Sequence, residues 1–245
     1  MVESSGTLSA AFYGEFAPHA WHDPEHDAYQ LFHRRSQAMG WLDRLWGMND
    51  AGQRHPLGVV GTRLVSWFQV DAGAVGGELP LPVRPFLSCA ESVTARIGRV
   101  EVDTVQVLLP VQAIDTASRP AYARVPSLLT VEWFAGGDPR ARVPVRVAVS
   151  GGGAPASLAE RVAGLDQDVF VRRSHTGTGA VPDDLPPPPF DDSFWGGPAP
   201  DTLVLRGELA EWSCDAVGWL GEVLAECAAA AGARAPLLVT VARDR

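Results

Sequence analysis

Apolar residues along 214–231 recur at the spacing of a helix with one buried face: Ala216, Val217, Leu220, Val223, Leu224 and Cys227. Ser213 stands where an N-cap hydroxyl would accept the free amides, and Asp215 puts negative charge in the first turn. Gly232 is placed to end this helix in a left-handed conformation, and Pro236 prevents its resumption. Apolar runs of strand length flank it at Thr202–Leu209 and Pro236–Val241. The pattern predicts strand, helix, strand over 201–243.

The same order recurs earlier. Leu57–Val70 reads as a strand, Phe86, Ala90, Val93 and Ile97 lie at helical spacing before Gly98, and Val102–Val111 returns as a strand. The modules 57–112 and 201–243 thus have the form of a degenerate internal duplication, although no run of identical residues links them. Residues 1–20 read as irregular. Trp21–Met48 is predicted to be a helix, started by Asp23-Pro24-Glu25 and striped by Ala28, Phe32, Met39, Leu42 and Trp46. Ser127–Phe134 and Val143–Val149 read as a hairpin around Gly136-Gly137-Asp138-Pro139. A short helix at Ser157–Leu165 and a short strand at Asp168–Arg173 follow. The stretch 174–200, with prolines at 186–189, reads as a long extended loop.

These elements predict a single α/β (or α+β) domain over 1–245. It would be one mixed sheet built from two β-α-β modules and a central hairpin, with helices packed on it. The Pro/Gly-rich loop at 174–200 is expected to stand outside the core as the working surface.

Charge and composition then remove function classes. A net charge of -9 argues against a nucleic-acid partner and for a solvated enzyme or a protein with a basic partner. All 20 Lys+Arg residues are arginine. No Walker A lysine, pyridoxal Schiff base or Ser-Lys dyad can be built from this chain. Gly-x-Ser-x-Gly is also missing. Cys89, Cys214 and Cys227 form no Cys-x-x-Cys pair, which fits a reduced, cytoplasmic protein, and Cys89 reads as core. Met1–Ala11 does not have the pattern of a signal peptide, and no apolar run reaches the ~18 residues of a membrane span.

Three constellations carry candidate chemistry. His19, His22, His26 and His33, interleaved with Asp23, Glu25 and Asp27, offer ligands for a divalent metal; the alternative is a solvated helix start, and no His-Glu-x-x-His occurs. Arg172, Arg173, Ser174 and Thr176 could hold an anion beyond a strand end, with His175 as acid or base; the alternative is an ordinary loop. Asp183, Asp184, Asp191 and Asp192, together with Phe194 and Trp195, offer an acidic, aromatic surface for a basic protein partner; the alternatives are carboxylates that only keep the loop solvated and a loop folded back on the sheet over the aromatic pair. The leading expectation is a non-catalytic protein-binding module without a cofactor. The alternative is an enzyme acting on a small anionic substrate, joining the Arg172–His175 region to the histidine cluster.

Overall fold

The structure, a computed structural model, describes residues 6–23, 27–49, 63–120, 128–151, 155–164, 169–190 and 202–244. Its strands are β1 (Gly6–Pro18), β2 (Gly47–Met48), β3 (Leu64–Ala72), β4 (Gly98–Leu109), β5 (Val143–Gly151), β6 (Phe170–Gly179), β7 (Thr202–Leu209) and β8 (Leu237–Arg243). Its helices are α1 (Ala28–Ala38), α2 (Val83–Ile97), α3 (Leu128–Ala135), α4 (Pro155–Ala163) and α5 (Cys214–Ala230). The strands make one sheet in the order β2-β3-β1-β4-β8-β5-β7-β6. Every neighbouring pair is antiparallel.

This confirms an α/β fold and corrects its wiring. In each predicted β-α-β module the two strands run parallel, but a third strand separates them: β1 lies between β3 and β4, and β5 between β7 and β8. The strand β1 falls in the stretch read as irregular. Its alternation of Leu8, Ala10 and Phe12 with Ser9, Ala11 and Tyr13 is muted, because Ser9, Ala10 and Ala11 are small and both faces are buried.

The central hairpin is also corrected. Residues 128–135 form α3, so the Gly136–Pro139 turn joins a helix to β5. A continuous apolar run does not separate strand from buried helix by period. The long N-terminal helix shrinks to α1, capped by Asp27 rather than Asp23: the Gln30 amide donates to Asp27 Oδ1 at 2.6 Å. It stops at Gly40 and Asp43, both at positive φ (66° and 62°), and the chain returns as the edge strand β2.

Elements β1-α1-β2-β3-α2-β4 and β5-α4-β6-β7-α5-β8 follow the same order, with the same strand arrangement inside each set. Each is a split β-α-β unit. The two meet at an antiparallel seam between β4 and β8, running from Thr104↔Ala242 to Leu109↔Leu237.

The helices line one face of the sheet in the row α1, α2, α5, α4. The helix α5 is not amphipathic in place: all residues from Ala216 to Ala229 are buried. It runs antiparallel to α2, with Arg84 against Gly218 and Glu222 at one end and Glu91 against Cys214 at the other. Gly218 makes this close approach possible, since a Cβ there would sit 2.9 Å from the Arg84 Cα.

The opposite face carries Ser9, Tyr13, Gln69, Thr104, Gln106, Thr240, Ser150 and Thr202, all buried. Part of the proline-rich segment crosses it as a strap. Asp184 pairs with Arg146 on β5, and Leu185 packs on Ala148, Val204 and Ala242. The Pro186 carbonyl accepts from Gln106 Nε2 at 2.7 Å, and the Pro187 carbonyl accepts from the Tyr13 hydroxyl at 2.8 Å. Phe190 reaches Trp67 on β3. Residues 181–190 therefore cover the sheet from β5 to β3, rather than standing off it. Prolines 186–189 bring no backbone N–H of their own, and the Pro186 and Pro187 carbonyls take donors from β4 and β1.

Candidate ligand cavity

A cavity of about 560 Å³ opens between α2, α5 and the start of β4. Its floor is Phe12 and Val105, side chains on the helix-bearing face of the sheet. One wall is the second half of α2, with Glu91, Thr94 and Ala95. The strand β4 starts at Gly98 with no intervening loop, and a Cβ there would strike the Phe16 ring at 2.5 Å. Arg99, Val100, Glu101 and Val102 follow along the rim. The far wall is Trp212, Ser213, Cys214 and Val217 at the start of α5, with Arg243 from β8.

Several polar groups here are tethered. Ser213 caps α5 by accepting from the Ala216 amide at 3.1 Å. Trp212 Nε1 donates to the Val102 carbonyl at 2.9 Å, and the Arg243 guanidinium lies 5.4 Å above the Trp212 ring. Thr94 Oγ1 contacts Ser66 Oγ at 2.9 Å and the Ala90 carbonyl at 2.8 Å. His19 Nε2 lies 3.2 Å from the Ala95 carbonyl, and its ring stacks on the exposed Trp21 at 4.7 Å.

Glu91 and Cys214 face each other across the α2–α5 gap and interact electrostatically. Burial raises the Glu91 carboxyl, against the lowering effect of the Cys214 thiol. Burial also drives the Cys214 thiol well up, and the negative charges of Glu91 and Asp215 add to it. A cysteine at a helix N-terminus is ordinarily a good thiolate; this one is held as a thiol. The cavity offers apolar surface, an aromatic wall and a carboxyl at its edge, and its one sulfur is not activated for attack.

A second buried ionic feature lies on α5. Glu222 and Glu226 are one turn apart, and each meets an arginine from another segment. Arg84 donates to Glu222 from its amide at 3.1 Å and from Nε at 2.8 Å. Arg119 pairs with Glu226. Burial lifts both carboxyls to about 7, although the arginines pull them down.

The candidates read from sequence are scattered. His19 and His22 precede α1 and His33 lies within it, while His26 falls outside the described residues. Among the described residues no group of three metal-ligating side chains forms. Arg172, Arg173, Ser174, His175 and Thr176 lie within the edge strand β6, not in a loop beyond a strand end. Arg173 pairs with Glu208 on β7 at 3.0 Å. Five strand spacings separate β6 from β1, roughly 24 Å, so the histidine and arginine regions do not converge on one pocket. Asp183 is exposed, and Arg146 beside Asp184 holds that carboxyl below the usual range. Asp191, Asp192, Phe194 and Trp195 lie outside the described residues.

Of the cavity's lining, only His19 stood out in the sequence as a candidate ligand. Glu91 and Cys214 carry no local motif, because their pairing depends on how α2 and α5 cross. Trp212-Ser213-Cys214 was visible only as a helix cap. No family model, curated protein or solved structure matches this chain. Among the described residues no helix is long and apolar enough to cross a membrane.

Proposed function

We propose that this chain is a non-catalytic binding protein for a small, largely apolar molecule carrying a hydrogen-bond-donating or cationic head. The observation that carries this reading is the cavity at the α2–α5 crossing, with the Glu91 carboxyl at its edge. Its volume falls within the ~300–1,000 Å³ usual for small-molecule sites, and apolar walls with few polar groups are their usual lining. Phe12, Val105, Val217 and Trp212 would take the apolar body. Glu91 would accept from the head group.

Calorimetry with tryptamine and with indole, on the full chain, tests this. Val217→Phe fills the cavity and is expected to abolish binding of both. Glu91→Gln should weaken tryptamine and leave indole nearly unchanged. Wild-type affinity in Val217→Phe would remove the cavity from the account.

The second reading, a basic partner protein docking on 183–195, is favoured by the exposure of Asp183 and Pro187 on the strap. Capture of the same partners by a chain carrying Asp183→Asn, Asp191→Asn and Asp192→Asn would count against it.

A further inference from the structure

A separate cavity of about 530 Å³ lies at the other end of α5, between that end, α4 and the segment after β4. Three guanidinium side chains line it, those of Arg119, Arg161 and Arg234, against one carboxylate, Glu226. The rest of the chain is acidic, with a net charge of -9, so this concentration of positive charge runs against the molecule's overall sign.

Internal needs account for only part of it. Arg119 is buried, donates to the Gly77 carbonyl at 3.2 Å and pairs with Glu226, yet its Nε is buried with no hydrogen-bond partner. Arg234 folds Nη1 back onto the Ala229 and Ala233 carbonyls, at 3.1 and 2.6 Å, closing the end of α5. Its other nitrogens have no partner among the described residues. Arg161, exposed on α4, has no carboxylate within ion-pair distance among the described residues. A helix C-terminus favours a nearby cation by roughly 0.3–1 kcal/mol, which suits Arg234 as a cap. It does not explain Arg161, a further guanidinium group in the same hollow with no carboxylate partner among the described residues, nor the unpartnered Nε of Arg119. Guanidinium groups are the side chains best shaped to grip phosphate or carboxylate oxygens in pairs.

We propose that this cavity is a binding site for a small multivalent anion bearing phosphate or carboxylate groups, held by Arg119, Arg161 and Arg234. The site is independent of the apolar cavity at the opposite end of α5.

Titration calorimetry on the full chain with inorganic phosphate and with citrate, against sodium chloride at equal ionic strength, tests the proposal. Saturable binding of either anion, with no heat from chloride, is expected; the tighter of the two assigns the ligand chemistry. Arg161→Gln and Arg234→Gln should each weaken that binding about ten-fold, the loss of one charge-assisted contact. Arg206→Gln, which removes the partner of Asp244 on the other face of the sheet, should leave it unchanged. Circular dichroism of each variant checks that it folds. Either of two results overturns the proposal: heats no larger than those of chloride, or folded Arg161→Gln and Arg234→Gln chains that bind as wild type does.

Discussion

Glu222 and Glu226 make the stability of this fold depend on pH. Their carboxyls lie near 4.5 when exposed and at about 7 in the folded chain. The native state therefore holds protons that the unfolded chain has released, and stability must fall as pH rises between those values. Chemical denaturation at pH 5, 6, 7 and 8 should show a decline that levels off above about 7. Glu222→Gln, which keeps an acceptor for the Arg84 amide, should make it shallower and leave the Glu226 part; an unchanged slope would place the proton uptake elsewhere. Gly218 offers a second test at this scale. Alanine there gains helix propensity, but its methyl meets the Arg84 backbone at 2.9 Å, so a net loss of roughly 1–3 kcal/mol is expected from denaturation curves. Gly221→Ala, whose nearest contact is the Val83 side chain at 3.3 Å, should cost far less. Some residues announced their role in the sequence: Ser213 caps α5, and Gly232 follows it at φ 93°. Glu222 and Glu226 did not, because a glutamate inside an apolar helix ordinarily marks an exposed face, and only α2 and the 111–119 segment lying over α5 bury this one.

Among the elements, the strap at 181–190 departs furthest from what its composition suggested. Proline-rich sequence reads as solvated, yet here Tyr13 and Gln106 supply donors to two of its carbonyls. Tyr13→Phe removes one and should cost about 1–2 kcal/mol, with faster proteolytic cleavage within 181–190 as a second readout. Equal stability and equal cleavage would mean the strap is held by Gln106, Asp184, Leu185 and Phe190 without the Tyr13 bond. Elements with a strong local period were legible: α2, α5 and β8 lie close to where their apolar spacing put them. The first strand was not, since small residues on two buried faces leave little contrast between in and out. The third helix was misread because eight apolar-rich residues satisfy a strand as well as a helix.

For the whole molecule, the seam between β4 and β8 is what turns two sets of strands into one sheet. Val239 and Val107 sit in it fully covered. Val239→Asp places a charge where neither solvent nor an arginine can reach it, and a loss of more than about 3 kcal/mol is expected. The checks are a thermal melt and the dispersion of amide resonances in both halves, not only the second. Resonances of the first half that stay native would show that the sets fold separately.

The strand β8 comes after every other strand in the chain and yet lies fourth from one edge of the sheet and fifth from the other. As the chain emerges from a ribosome, β4 and β5 must wait with one edge each unpaired, and the strap has no finished surface to lie across. These exposed edges during synthesis are the interval in which a chaperone, or a neighbouring nascent chain, has most to gain.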